Sequence, residues 1–267
     1  MDGTILLFLL QDGITNGAIY ALLGIALVLV FAVTKVIFIP QGEFVAFGAL
    51  TYAALESGKL PGTVWLLAAI GAVAFLFDLV AGLRHGFAAK RLMTAVAIDL
   101  LLPGALVLVS QAVAGHGHGP AVHFALTLAL IVPMGPLVYR IAFLPVASAS
   151  VLTLLITAVG VHLALVGLGL VFFGAEGLRA PAMSDLTFTA GPLLVTGQSL
   201  AVYGVTVLAI GSLWLFFERS LWGKALRATA VNALGARLVG IRTTFAGSLA
   251  FALAALVGGL SGILVAP

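Results

Sequence analysis

The chain has 267 residues, of which 63% are hydrophobic and only 8% charged, and its mean hydropathy is +1.27. A water-soluble domain carries about a quarter charged residues, so that class is excluded. The formal charge of +3 does not mark a nucleic-acid binder, because the basic residues stand between apolar runs as membrane-orienting charges do, and with no cysteine there is no disulfide framework or thiolate metal site.

Residues 1–13 are acidic and lack the basic region and small-residue cleavage site of a signal peptide, so they read as a mature end. Crossing roughly 30 Å of hydrocarbon takes about 20 apolar residues. That ruler gives eight candidate spans, at about 14–34, 41–56, 62–83, 92–114, 120–139, 151–173, 193–217 and 244–266. The expected fold is an all-α integral membrane protein, a polytopic helical bundle of about eight transmembrane spans forming a single domain over 1–267.

The second span is short and opens with polar Gln41 and Glu43, as a broken or re-entrant segment lining a protein-enclosed cavity would. A lone carboxylate at that depth costs about 2.5–3.5 kcal/mol, so Glu43 needs a cavity or a partner. Either it belongs to a pathway or gate, or it is solvated near the interface and pairs with Lys35. Asp78 and Asp99, in spans three and four, are expected to pair with Arg84, Lys90 and Arg91 of the intervening loop rather than to form a proton relay. Pro103, Pro133 and Pro136 each remove a backbone hydrogen bond and favour kinks. His116, His118 and His123 have the spacing of a metal cluster, but no acidic or thiolate ligand accompanies them and glycines flank them, so no metal site is assigned. His162, inside span six, reads as a helix-to-helix hydrogen bond.

The longest polar break is 217–244, which holds Arg219, Lys224, Arg227, Arg237 and Arg242 against Glu218. Its apolar stripe at Val231, Leu234, Leu238 and Ile241 predicts a surface helix. With this loop fixed inside and the spans alternating, Lys35, Arg84, Lys90, Arg91 and Arg140 join it, and only Lys59 and Arg179 fall outside. That bias follows the positive-inside pattern and predicts an external N-terminus. The last span carries Ala250, Ala254, Gly258 and Gly262 at four-residue spacing, a small-residue face for close helix packing. No nucleotide-binding G-x-x-x-x-G-K-[ST], no HExxH and no Ser-His-Asp arrangement is present, so no enzymatic activity and no cofactor are expected, and the energy must come from a partner.

Several stretches resemble the permease subunits of bacterial branched-chain amino-acid ABC importers, the high-affinity leucine, isoleucine and valine type. Gly13-Ile14-Thr15-Asn16-Gly17-Ala18-Ile19-Tyr20-Ala21-Leu22 resembles the family's G-x-T-x-G-x-x-Y-A-L. Gln41-Gly42-Glu43-Phe44 resembles its [HQ]-G-E-F, and residues 151–160 resemble its L-T-L-L-I-A-T-I-G. Trp222-Gly223-Lys224-Ala225-Leu226-Arg227-Ala228-Thr229-Ala230, followed by Leu238-Val239-Gly240-Ile241, resembles F-G-R-A-x-R-A-x-A followed by L-x-G-I. The chain departs from the family at Phe38, Ile39 and Pro40, where N-[FL]-A is usual, and lacks the glutamate of the E-A-A-x-x-x-G motif before Gly235 and Ala236. Members usually run on past Pro267, so a chain lacking C-terminal spans is expected.

The resemblance implies a cytoplasmic coupling segment. Gly223, Arg227, Ala236, Gly240 and Ile241 belong to it by motif, and Leu234, Leu238 and Ile241 by helical spacing. It implies a substrate pathway drawn from Thr15, Tyr20, Gln41, Gly42, Glu43, Thr157 and His162. The implied partners are a second permease subunit, cytoplasmic ATPase subunits, an external amino-acid-binding protein and membrane lipid, with no nucleic acid, in a bacterial inner membrane. Permeases for urea or short amides share these motifs. A self-contained secondary transporter or channel is the rival reading from another class.

Overall fold

The structure is a computed structural model that describes residues 3–85, 89–182, 186–190 and 193–267. Hydropathy dictates its elements. Helix α1 spans Gly3–Thr34, α2 Gln41–Glu56, α3 Thr63–His85, α4 Ala89–Ala95, α5 Leu102–Val113, α6 Pro120–Val138 and α7 Val151–Phe173. Strands β1 (Thr187–Ala190) and β2 (Leu193–Thr196) pair as an antiparallel hairpin, with Thr187 opposite Thr196. Helix α8 spans Gly197–Arg219, α9 Leu221–Val231, α10 Ala233–Leu238 and α11 Thr243–Val265. Among the described residues, seven helical stretches are long and apolar enough to cross a membrane, and α2, at 16 residues, falls short of that length. The seventh expected span starts later than its hydropathy suggests, because residues 193–196 are strand β2.

Connections gather at two ends of the bundle. At one, residues from 33–36, 139–147, 229–237 and 243–244 surround a common cavity. At the other, Glu56 meets His123 at 2.8 Å, Ala180 N donates to Ala266 O at 3.0 Å and Gln198 Nε2 donates to Leu264 O at 3.0 Å. The helices therefore alternate in direction, and α2 ends opposite to where α1 ends. It is not re-entrant, but it is broken. Residues 35–40 are non-helical, and Gln41 Nε2 donates to the carbonyl of Ala254, halfway along α11, at 3.0 Å. The second crossing thus descends as irregular chain to mid-depth and only there becomes a helix.

Helix α11 is the hub, packed against α1, α2 and α6. Its small-residue face makes that approach possible. A Cβ at Gly262 would come within 2.7 Å of Ala49 N, and one at Gly48 would come within 2.7 Å of Gly259 O, so α2 and α11 meet backbone to backbone. Below this contact, Phe38, Phe44, Phe143 and Phe251 are each at most 1% exposed. The Phe38 and Phe251 rings lie 4.7 Å apart and those of Phe143 and Phe251 5.3 Å apart, which anchors the irregular segment at the edge-to-face distances aromatic pairs favour.

The prolines act more specifically than as kinks. Pro103 cannot donate to Asp99 O and its ring crowds that carbonyl. The preceding turn widens into a π-helix, Val96–Leu101, in which Leu102 N reaches Ala97 O. A second π-segment, Tyr139–Phe143, follows Pro133 and Pro136. These two segments carry an ion pair between them: Arg140 Nη2 donates to Asp99 Oδ2, and Asp78 Oδ2 lies 3.8 Å from the same nitrogen. Asp99 is fully buried. The expected partners Arg84, Lys90 and Arg91 lie outside the residues whose side chains are described. The partner found is instead 41 residues from Asp99, because α3, the first π-segment and the end of α6 pack together.

Candidate functional site

Two places bring the sequence-marked residues together. The first is the segment between α8 and α11. It is not one surface helix: Asn232 leaves helical geometry, and its Oδ1 accepts from Gly235 N at 2.9 Å, ending α9 and capping α10. Ser220 caps α9 in the same way, accepting from Gly223 N at 2.8 Å. Gly223 packs against the backbone of Phe216 and Phe217, where a Cβ would not fit, and Gly240 turns the chain at φ +86°. Inside the segment, Leu226 and Ala236 are buried, while Leu234 is 70% and Leu238 83% exposed. Val231 and Val239 are exposed beside them, and Ile241 is half-buried. Arg227 is half-exposed and lies 3.3 Å from Glu218. The result is a two-helix ledge that rests on the bundle through small residues and presents bare aliphatic side chains outward. Trp222, 57% exposed, packs against Phe245 with ring centroids 4.7 Å apart and planes tilted by 46°.

The second place is the break ahead of α2. Gln41 is buried, and no atom lies within 4 Å of where a Gly42 Cβ would stand. Glu43 Oε1 is 2.8 Å from Nδ1 of His162, the midpoint of α7. Lys35 is not its partner, since Lys35 Nζ donates to Ala32 O at 3.3 Å. Glu43 Oε2 is buried and has no hydrogen-bond partner among the described residues. The first-turn amides of a helix lack intrahelical acceptors and carry partial positive charge. At the α2 N-terminus Gln41 N and Glu43 N donate to Phe38 O at 3.2 Å and Pro40 O at 3.1 Å, so the positive helix end stands beside this carboxylate with part of its donor capacity already used.

The other expected pathway residues stand apart. Thr15 donates to or accepts from Tyr203 at 2.7 Å and donates to Gln11 O at 2.9 Å, tying α1 to α8. Tyr20 is 71% exposed and points away from the bundle. Thr157 donates to Thr153 O at 2.9 Å, within its own helix. His116 and His118 are exposed, with rings 6.3 Å apart. His123 bonds Glu56 instead of joining them, and no group of metal-ligating side chains forms among the described residues.

Seven membrane-capable helices among the described residues, with irregular backbone at mid-depth and a broken helix, are the architecture of a multi-pass membrane protein of the kind that encloses a polar site. The chain belongs to the family described as branched-chain amino acid transport system / permease component, whose profile matches residues 9–267. It is 24% identical over 275 residues to the high-affinity branched-chain amino acid transport system permease protein LivH of Escherichia coli (strain K12), covering 99% of this chain and 72% of that protein. The LivH protein of Salmonella typhimurium is 23% identical over the same shares. No solved structure matches the chain. The family is one of transport subunits.

Proposed function

We propose that this chain is the membrane-spanning subunit of an ABC importer for branched-chain amino acids, working with a second permease, two ATPase subunits and an external binding protein. The observation that carries this reading is the ledge formed by α9 and α10. Leu234, Leu238 and Val231 are solvated aliphatic side chains in a segment whose cations outnumber its acid. A run of exposed aliphatic side chains of this kind marks an interaction surface. Gly223, Arg227, Ala236, Gly240 and Ile241 hold the ledge in place for an ATPase groove, and closure of the ATPase dimer pulls on α8 and α11 through it. The described cations Lys35, Arg140, Arg219, Lys224, Arg227, Arg237 and Arg242 gather at this end and Lys59 and Arg179 at the other, which supports a cytoplasmic ledge and an external N-terminus.

In this reading Gln41, Gly42, Glu43 and His162 form the pathway's selective point. The chemistry suits a zwitterion: the α2 N-terminus attracts a carboxylate, and the unpaired Glu43 oxygen attracts an ammonium. Aliphatic walls then suit a leucine-like side chain.

The test is co-purification with the ATPase subunits and uptake of leucine into proteoliposomes holding the assembled complex. Leu234→Glu with Leu238→Glu is expected to abolish ATPase association while the chain still inserts, and an undiminished association would refute the ledge assignment. Glu43→Gln is expected to cut uptake at least about tenfold, the loss of one charge-assisted hydrogen bond, with ATPase association unchanged. Uptake that runs without any ATPase would identify a secondary transporter instead.

A further inference from the structure

The cavity at the cation-rich end, about 240 Å³, lies between the end of α1, the second π-segment and the start of α11. Its lining includes Lys35, Tyr139, Arg237, Thr243 and Thr244, and no carboxylate among the described residues. Four features converge on it. First, α11 is a 23-residue helix with no side-chain cap, and its first internal bond is made by Ala246 to Arg242 O at 3.0 Å. The amides of Thr243, Thr244 and Phe245 are therefore left for an external acceptor. Second, Arg237 turns back from α10, and its Nε donates to Thr243 Oγ1 at 2.9 Å. That bond fixes the guanidinium beside the helix end and leaves the Thr243 proton free to donate inward. Third, Lys35 lines the cavity with its backbone at φ +61°, a conformation uncommon outside glycine, and its Nζ, which donates only to Ala32 O at 3.3 Å, is within a rotamer change of the cavity. Fourth, Tyr139 is 5% exposed, and its phenol has no hydrogen-bond partner among the described residues. The phenol oxygen keeps some accessible surface and opens on the cavity, where a ligand or water supplies its partner.

Cations, helix amides and hydroxyl donors without an opposing carboxylate are the donor set of a phosphate site. We propose that this cavity binds a phosphate group, with the α11 amides and Arg237 as its principal donors, and Tyr139 and Lys35 completing the shell. Basic pockets between helices at a membrane's cytoplasmic face hold anionic lipid headgroups, and a free phosphate has the same oxyanion chemistry. A ligand here bridges α1, the end of α6 and the start of α11, and so ties the coupling ledge to the hub helix. The proposal is independent of what the permease carries.

The test is the thermal unfolding midpoint of the purified full chain in phosphatidylcholine mixed micelles at fixed ionic strength. Inorganic phosphate is titrated in one arm and phosphatidylglycerol in the other. A saturable rise is expected in at least one arm. A rise with phosphatidylglycerol alone assigns the site to a lipid headgroup, and a rise with phosphate in either case assigns it to the oxyanion itself. Lys35→Gln with Arg237→Gln is expected to weaken the apparent affinity about tenfold or more. Arg219→Gln with Lys224→Gln, an equal change of charge on the same end, is expected to leave it unchanged. No saturable rise in either arm, or equal weakening by both pairs, overturns the proposal. Should the first pair fail to fold, Tyr139→Phe removes only the phenol oxygen, and unchanged affinity in that variant also overturns it.

Discussion

Arg140→Met should be the most damaging single replacement of a charged side chain in the bundle. Its Nη2 serves both Asp99 and Asp78, and Asp99 is fully buried. At an effective dielectric of about 20, one pair of unit charges at contact is worth about 4 kcal/mol, and deleting one partner of a buried pair typically costs about 3–5 kcal/mol. The Arg140 side chain is 30% exposed and the Asp78 pair is longer, so solvent screening puts the expectation near the lower figure, about 3 kcal/mol. Removing both charges should cost less than removing one, because Asp99→Asn no longer leaves a buried anion; the double variant should recover at least half of the loss. Arg140→Lys should fall between, since one nitrogen makes both contacts in the native arrangement. The measurement is reversible unfolding in bicelles of the two single variants and the double, read as a double-mutant cycle. A cost below about 1 kcal/mol for Arg140→Met, or a double variant no better than the single, would refute the assignment of Arg140 as the charge that holds the two π-segments together.

Gly262→Leu should prevent close contact of α2 with α11, because its Cβ would already lie 2.7 Å from Ala49 N; a destabilisation above about 2 kcal/mol is expected. Gly104→Ala, where nothing lies within 4 Å, should be tolerated in the same unfolding assay. Asn232→Ala removes the cap of α10 and should cost about 1 kcal/mol locally, read as faster amide exchange at Gly235 and Ala236 and weaker ATPase association. Glu218→Gln should change stability by less than about 1 kcal/mol, since its pair with Arg227 is solvent-exposed.

Hydropathy found the crossings because it measures the transfer cost of each segment by itself. Most helix positions and the shortness of the second crossing were therefore legible from apolar run lengths and from Gln41 and Glu43. Neighbour identity is not a property of a single segment, and there the sequence was silent. Arg84, Lys90 and Arg91 look closer to Asp99 than Arg140 does along the chain. The π-segment created by Pro103 instead turns Asp99 toward the end of α6, and Gly71 lets α3 pack directly against Asp99 O and the Pro103 ring. Glu43 found His162 for the same reason: a helix that starts at mid-depth puts its first turn opposite the middle of α7. One missed feature did have a local signal. Asn232 three residues ahead of Gly235 is a capping spacing, and it divides the stripe of Val231, Leu234 and Leu238 between two helices. Val231, Leu234 and Leu238 are nevertheless all exposed, while Leu226 and Ala236 are buried. Periodicity thus picked out Val231, Leu234 and Leu238, which are exposed, while misjudging the helix that carries them and including Ile241, which is half-buried beyond the end of α10.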